Sequence, residues 1–202
     1  MKITDVVKAK GERYTVYVDE EYFYIFDIEI IMQNGISIGV EVDEDDLDFF
    51  KSQAEKRTAR ERAYYLLGYR DHSKKELYDK LVKNARPEIA NQIIDMVSEQ
   101  GLLDDEKYAG KLARYYLSSK KWGKRRVMQE MFKRGIDKEI AINAIEQSNV
   151  NPIPQIIAII EKKYYDLFED YKSKQKAIAG LIRLGFDYDD IKHAIQEISD
   201  NV

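Results

Sequence analysis

From about residue 54 onward the sequence repeats itself at an interval of 50 residues. Each of three blocks has an opening residue that a lysine follows directly, and similar residues stand at fixed distances from it. A period near 50 without strand signals is typical of tandem helical units that stack on their neighbours. We therefore expect three-helix repeats. The aligned residues are the openers Ser73, Gly123 and Ser173, the lysines Lys74, Lys124 and Lys174, and the sets Tyr65, Tyr115 and Tyr165, Leu67, Leu117 and Leu167, and Leu81, Met131 and Leu181.

Capping signals predict three helices in each block. Ser73 and Ser173 are expected to cap the second helices of their blocks, and Pro87, Pro152 and Pro154 suit first turns. We expect the repeated tyrosines and leucines to form the buried stripe. The predicted helices are 54–69, 104–119 and 153–169 (first), 73–84, 123–134 and 173–184 (second), and 87–99, 137–148 and 187–199 (third). The turns Gly135-Ile136-Asp137 and Gly185-Phe186-Asp187 separate second and third helices, and the blocks close on Ile93-Ile94, Ala144-Ile145 and Ala194-Ile195.

The first 50 residues predict a small β-rich unit. Residues 14–18 and 22–26 are rich in aromatic and β-branched side chains and flank a polar turn, which is a hairpin signal. A short helix capped by Asp27 and running to Met32, and another strand from Ile36 to Val42, are expected to follow. The acidic run 43–46 suits a helix N-terminus. The predicted domains are 1–50, 51–101, 102–150 and 151–202.

Composition narrows the possible chemistry. The absence of cysteine excludes disulfides, thiolate metal sites and cysteine nucleophiles. The two histidines, His72 and His193, stand in different blocks without metal-ligand spacing, and the ten glycines form no phosphate-binding loop. We therefore expect no catalytic residues, no cofactor, no metal and no small-molecule substrate. Without a long apolar stretch or a signal peptide, a cytoplasmic protein without a membrane partner is expected.

The charge is distributed unevenly along the chain. Residues 1–50 hold four basic and 13 acidic residues, whereas residues 51–202 hold 29 basic and 24 acidic ones. An acidic N-terminal segment followed by a mildly basic remainder fits a protein that binds an ionic partner. A solvated surface of uneven composition explains the same numbers equally well.

The most informative segment is the basic turn, residues 120–126. It contains five cations and the only tryptophan of the chain, namely Lys120, Lys121, Trp122, Lys124, Arg125 and Arg126. Three of the cations fall in the first turn of a predicted helix, where the helix dipole disfavours positive charge. Either the cations join the helix amides in a phosphate or carboxylate site, or the turn is solvated with Trp122 packed beneath it. Lys74, Lys75 and Lys174 occupy the same place in the other blocks, which predicts a discontinuous basic ridge for a polyanion or a helical filament.

Several motifs resemble a known family. Residues 63–70 followed by His72 to Leu77, residues 101–105 followed by Tyr108-Ala109, and residues 122–126 followed by 133–136 are similar to the repeating core of RecX proteins. The resemblance is closest over residues 55–148 and looser in the third block. Longer RecX proteins of Gram-positive bacteria are similar in having an N-terminal extension and extra repeats.

The resemblance implies a mainly α fold, in which tandem three-helix repeats form an elongated, bent array after the small β-rich N-terminal unit. It implies a non-enzymatic regulator of RecA in DNA repair, recombination and the SOS response. Such a protein binds the RecA filament on single-stranded DNA and suppresses its growth, ATP turnover and strand exchange. Two alternatives stay open from the residues. The basic turns could bind single- or double-stranded DNA directly, or the repeats could be a scaffold for another protein.

Overall fold

The N-terminal segment forms a three-stranded antiparallel sheet in the computed structural model, which describes residues 1–165 and 170–200. The strands are β1 (Ile3–Lys8), β2 (Arg13–Val18) and β3 (Glu21–Asp27), in the order β1-β2-β3. The predicted hairpin is confirmed as β2 and β3. Its turn places Asp19 and Glu20 at φ 49° and 70°, the twist that a tight hairpin favours although neither residue is glycine. The strand β1 was not predicted.

The expected strand from Ile36 to Val42 is wrong. A turn at 38–39, where Gly39 has φ 93°, interrupts the extended chain. The segment still pairs locally with the start of β1, because the Ile3 N–H donates to the Val40 carbonyl at 2.9 Å and the Gly39 N–H donates to Ile3 at 2.8 Å. It therefore covers part of the sheet edge without becoming a strand.

Helices α1 (Ile28–Gln33) and α2 (Glu44–Tyr69) complete this part of the chain. Asp27 stands at the N-cap position of α1, as predicted, but its side chain caps no backbone amide. Asp43 caps α2 together with Asp46, since each side chain accepts the other's backbone N–H at 2.8 and 3.2 Å. The acidic run therefore belongs to a helix N-terminus, as expected. This capping box starts α2 ten residues before the predicted start at 54.

The rest of the described chain is helical, with three helices in each block. The elements are α3 (Lys74–Leu81), α4 (Pro87–Glu99), α5 (Asp105–Arg114) continued by a π-helical turn (Tyr115–Ser119), α6 (Lys124–Lys133), α7 (Lys138–Gln147), α8 (Ile153–Lys163), α9 (Tyr171–Arg183) and α10 (Tyr188–Asp200). Apart from the early start of α2, the helices of the first two blocks match the predicted bounds within a few residues. The expected end of the first helix in the third block, with Leu167, lies outside the described residues.

The two serine caps have different outcomes. The Ser73 hydroxyl accepts the Glu76 N–H at 3.0 Å, and the Glu76 carboxylate accepts the Ser73 N–H at 3.1 Å, so Ser73 caps α3 as predicted. Ser173 does not cap α9. The helix begins at Tyr171, and Asp170 accepts the Ser173 N–H at 2.7 Å. An aspartate three residues upstream offers a stronger acceptor than the hydroxyl.

Each of the last two blocks has its own hydrophobic core. The second is built from residues of α5, the π-turn, α6 and α7, among them Met131 and Ile145, and the third from residues of α8, α9 and α10, among them Leu181 and Ile195. The expected burial of Leu81 and Leu181 is confirmed, and the aligned Met131 and the block-closing pairs are buried as well.

The expected burial of the repeated tyrosines is wrong. Tyr65, Tyr115 and Tyr165 are 68%, 47% and 84% exposed. Among the aligned leucines, Leu117 is buried as expected and Leu67 is partly buried. The buried residues next to the tyrosines are Ala63, Leu66, Ala113 and Tyr116. One step along a helix turns the side chain by about 100°, so aligned residues share a face without that face being the buried one.

By compactness the chain divides into two units. One comprises Met1–Arg70 and Leu77–Leu102, and the other comprises Asp71–Glu76 and Leu103–Val202. The opening turn of the first repeat therefore belongs with the second unit. The finer division at 50, 101 and 150 stays a prediction. No helix among the described residues has the length and apolar character to cross a membrane.

Candidate partner-binding site at the basic turn

The backbone around the basic turn departs from regular helix at two places. Helix α5 ends in a π-helical turn, in which the Lys120 N–H donates to the Tyr115 carbonyl at 3.1 Å. Lys121 then adopts φ 54°, the left-handed region that costs a non-glycine residue on the order of 1 kcal/mol or more. The Trp122 N–H donates back to the Tyr116 carbonyl at 3.0 Å. Wide turns and left-handed non-glycine residues are both frequent at functional sites.

This backbone path stacks Trp122 on the core of the second repeat. Its ring lies 4.6 Å from the Tyr116 ring at an interplanar angle of 4°. The Arg126 guanidinium lies 3.9 Å from the Trp122 ring centroid, which is a cation–π distance. Trp122 is half-buried. The Trp122 ring is therefore packed beneath the turn, as one of the two interpretations expected, and the Arg126 guanidinium lies over the ring.

The N-terminus of α6 is satisfied by the protein itself. The Gly123 N–H donates to the Leu184 carbonyl at 2.9 Å and the Arg125 N–H donates to the Gly185 carbonyl at 3.1 Å. The Arg125 side chain donates to the Asp187 carboxylate at 2.5 Å. One of the two interpretations of the turn gives its cations a phosphate or carboxylate ligand, and for Arg125 the chain itself supplies a carboxylate, that of Asp187 in the next repeat. These carbonyls and this carboxylate offset the helix dipole, which explains how cations are tolerated in the first turn.

The opening turn of the first repeat makes the equivalent contact with the second. The Ser73 hydroxyl donates to the Arg134 carbonyl, and the Lys74 N–H donates to the Asp105 carboxylate at 2.9 Å. Burial raises the pKa of Asp105, and the hydrogen bond from Lys74 lowers it by less. The Lys75 side chain packs against Gly135, where an added Cβ would lie 2.4 Å from its Cβ. Opening turns therefore join consecutive repeats within the second unit.

The structure divides the predicted site residues into two groups. Arg125 and Arg126 are held by Asp187 and Trp122, and Lys74 and Lys75 are exposed but lie at the joint between repeats. The remaining lysines are exposed, and none of their side chains forms an ion pair within the part of the chain that the structure describes. They are Lys120, Lys121, Lys124 and Lys174. The first three belong to the basic turn, and Lys174 lies in the first half of α9.

The sequence did not reveal the polar cluster around Arg134. This guanidinium donates to Glu76 at 3.1 Å and to the hydroxyl oxygens of Tyr108 and Tyr116 at 3.1 and 3.2 Å. It also donates to Glu130 at 3.3 Å. Burial alone would lower the pKa of Arg134, but these tyrosines and Glu76 raise it above its ordinary value. The i,i+4 spacing of Glu130 and Arg134 was the available signal, whereas Glu76 reaches the site only through the fold.

Among the residues that the structure describes, no group of three or more histidine, cysteine, aspartate or glutamate side chains is placed to hold a metal ion.

The comparison with known families decides which family the chain belongs to. Models of the first, second and third three-helix domains of RecX match residues 59–95, 104–145 and 155–195 in order. The chain belongs to the RecX family. The boundaries of these matches follow the three repeats, and the basic turn lies inside the second RecX domain.

Curated relatives that the chain matches over most of its length are named "Regulatory protein RecX". The chain is 28% identical over 96% of its length to the "Regulatory protein RecX" of Caldanaerobacter subterraneus subsp. tengcongensis, of which it covers 98%. It is 25% identical to that of Clostridioides difficile, with 95% and 92% of the two chains covered. The relative from Streptococcus thermophilus is longer, and the match covers 77% of it at 26% identity.

Solved structures agree on the fold. A crystal structure titled regulatory protein RecX superposes with a TM-score of 0.68 at 22% identity over 95% of this chain and 98% of the other. A crystal structure of RecX from Lactobacillus salivarius gives a TM-score of 0.67 at 25% identity over 72% of this chain and 97% of the other. The RecX fold and a regulatory role of the RecX type follow for this chain.

Proposed function

We propose that this protein is a non-enzymatic negative regulator of RecA that binds the RecA filament on single-stranded DNA in the cytoplasm. Binding inhibits the filament's ATP hydrolysis, growth and strand exchange. The family membership supports the regulatory class, and the resemblance described above supplies the partner. The basic turn of the second repeat is the contact that we assign to this interaction.

The basic turn is assigned to this interaction because its backbone conformation and its charges are energetically unfavourable in the free protein. Lys121 is held in a left-handed conformation, and Lys120, Lys121 and Lys124 project into solvent without ion pairs among the described residues. Neither feature stabilises the fold, since like charges in one turn repel and left-handed lysine is strained. An acidic surface on the partner would offset both, and such complementary charge chiefly raises the association rate and fixes orientation.

The stacked residues beneath the turn support the same assignment. Trp122, clamped between Tyr116 and Arg126, cannot change rotamer without losing two ring contacts. A preorganised turn loses less side-chain entropy on binding than a mobile one. Tryptophan and arginine are also the residues that most often dominate the energy of protein interfaces. The rigid part of the turn thus holds its exposed lysines in one arrangement.

Co-sedimentation tests the binding step directly. RecA filaments are assembled on single-stranded DNA with a non-hydrolysable ATP analogue and pelleted with the protein. The protein should appear in the pellet with the filament and stay in the supernatant with RecA monomers lacking DNA and nucleotide. Failure to pellet at concentrations well above those of the filament would contradict the proposal.

A further inference from the structure

The guanidinium of Arg134 lies between the opening turn of the first repeat and Tyr116 of the second. On one side, its Nη1 donates to the Glu76 carboxylate at 3.1 Å, and the Arg134 backbone carbonyl accepts the Ser73 hydroxyl. On the other side, its Nη2 donates to the Tyr116 hydroxyl at 3.2 Å. All four residues belong to the second compact unit. Arg134 therefore links the opening turn directly to the residue on which the basic turn rests.

Tyr116 fixes the position of Trp122 in two ways. Its ring stacks on the Trp122 ring at 4.6 Å with an interplanar angle of 4°, and its backbone carbonyl accepts the Trp122 N–H at 3.0 Å. Between these two residues the chain passes through Lys121, whose φ is 54°. A change in the position of Tyr116 therefore moves the Trp122 ring and alters the backbone that carries the exposed Lys120 and Lys121.

The cluster around Arg134 is not required by the three-helix fold. At the aligned position the third repeat has Leu184, which packs against the hydrophobic core of that repeat, and Gly180 stands where the second repeat has Glu130. A leucine thus fills the same place in a similar unit. Ion pairs withdrawn from water seldom stabilise a protein more than apolar side chains of similar size, and fixing one conformation is their best-attested role. This cluster belongs to the repeat that contains the basic turn.

We propose that Arg134 is a positioning residue for the basic turn, whose arrangement it makes dependent on the joint between the first and second repeats. Through Tyr116 it holds Trp122 and the neighbouring lysines in place, and through Glu76 it is itself fixed by the opening turn. The inference rests on the function proposed above for the identity of the partner. Coupling between two sites is reciprocal. Loosening the Glu76 contact therefore lowers the affinity of the basic turn, and a partner bound there tightens the joint.

The fluorescence of Trp122 reports on this site alone, because it is the only tryptophan of the chain. In Glu76→Gln the side chain keeps an oxygen that accepts the Ser73 N–H, so the cap of α3 is kept while the negative charge beside Arg134 is lost. In Tyr116→Phe the ring stays and the hydroxyl that Arg134 holds is lost. Acrylamide should quench the emission more strongly in both variants than in the wild type, because a stacked pair without its anchor opens more often.

Each variant has a matched control. Asp71→Asn removes the 2.6 Å ion pair by which the same opening turn contacts Lys111 of α5. Tyr108→Phe removes a hydroxyl that accepts from Arg134 at 3.1 Å, on Nη1 instead of Nη2, and Tyr108 is as buried as Tyr116 at 7% exposure. Emission of both controls should be quenched as in the wild type, since neither change breaks the path from Arg134 to the tryptophan ring.

Circular dichroism establishes which variants are folded, and either of the two test variants suffices for the comparison. The inference is overturned if a folded Glu76→Gln or Tyr116→Phe protein is quenched like the wild type. It is also overturned if the control variants are quenched as strongly as the test variants, because a general loosening of the repeats then explains the effect.

Co-sedimentation with RecA filaments is the second readout. Glu76→Gln should bind at least about twofold more weakly than the wild type, as expected for coupling through a network of side chains, and Asp71→Asn should bind like the wild type. Equal affinity of Glu76→Gln and the wild type overturns the inference. If the quenching results hold and even the wild type does not pellet, the function proposed above fails, while the positioning of Trp122 by Arg134 is supported.

Discussion

The N–H of Gly123 donates a 2.9 Å hydrogen bond to the carbonyl oxygen of Leu184. This bond joins the opening turn of the second repeat to the turn between the last two helices of the third. The approach is so close that a Cβ on Gly123 would lie 2.1 Å from the backbone carbonyl of Gly185. Glycine at the opener is therefore required by the joint between repeats, and the aligned Ser73 forms its own joint through its hydroxyl.

Replacing Gly123 by alanine should destabilise the protein. The added methyl overlaps backbone atoms that cannot move independently, and overpacking of this kind costs about 1–3 kcal/mol or more. Gly110 is the matched control, since it lies inside α5 with no atom within 4 Å of an added Cβ. Gly110→Ala should stabilise by up to about 1 kcal/mol through helix propensity. Urea unfolding of both variants checks the pair, and equal effects would contradict the described joint.

Truncation of Leu117 should destabilise the protein far more than truncation of Tyr115. Leu117 is 4% exposed in the core of the second repeat, so Leu117→Ala should lower the free energy of unfolding by about 2–5 kcal/mol. Tyr115, two residues earlier and 47% exposed, should tolerate alanine with a change of about 0.5 kcal/mol or less. Thermal unfolding followed by circular dichroism measures both. A stable Leu117→Ala variant would mean that the π-turn is packed differently.

Asp105 should make stability depend on pH. Because burial raises its pKa in the folded state, its protonated form favours folding. Its contribution is fully present below the ordinary pKa of 3.8 and is lost as pH rises through the higher folded value. Asp105→Asn keeps an oxygen acceptor for the Lys74 N–H and does not titrate. The free energy of unfolding of the wild type should therefore fall relative to the variant between about pH 3 and pH 7. A constant difference across that range would contradict the assignment.

The period of 50 residues made most of the fold predictable. Apart from the start of α2, it set the helix boundaries of the first two blocks within a few residues, and the capping pair of Ser73 and Glu76 is a local signal. The period does not show which face of the first helices packs against the core. Aligning Tyr65 with Tyr115 shows only that the two residues lie on equivalent faces of their helices. Helix α2 starts earlier than predicted because Asp43 and Asp46 form a capping box. In the sequence, the acidic run indicated a helix N-terminus through its charge, without showing that this helix continues into the first repeat.

The candidate site was predictable in position and not in its internal contacts. The five cations and Trp122 are adjacent in sequence, so their proximity was evident. The pairing of Arg125 with Asp187 spans 62 residues and depends on how the second and third repeats meet. The same holds for Glu76 and Arg134, 58 residues apart. Sequence patterning thus located the basic turn, while the contact between the second and third repeats determined that Arg125 is paired.

Removing the exposed lysines of the basic turn should weaken inhibition without weakening the fold. In the triple variant Lys120→Gln, Lys121→Gln and Lys124→Gln, no ion pair among the described residues is lost, and one cation leaves the first turn of α6. Inhibition of RecA should require at least about tenfold more protein, equivalent to about 1.4 kcal/mol. The loss should shrink at high salt, where the wild type is screened as well.

A second triple variant with the same change in net charge is the control for the basic-turn variant. Lys83, Lys138 and Lys192 are exposed, and their side chains form no ion pair with any residue that the structure describes. Their replacement by glutamine changes the net charge by the same amount at other surfaces. Inhibition by this variant should match the wild type. If both triple variants lose inhibition equally, net charge rather than the basic turn is responsible.

The most direct measurement of the central claim is ATP hydrolysis by RecA on single-stranded DNA, titrated with this protein. The host RecA is assembled on DNA with ATP, and the steady-state rate is followed as the wild-type protein is added. We predict that the rate falls in a saturable manner at protein concentrations below that of RecA, because a regulator of a filament acts on many subunits at once. An unchanged rate, with the protein folded and in molar excess over RecA, would contradict the account.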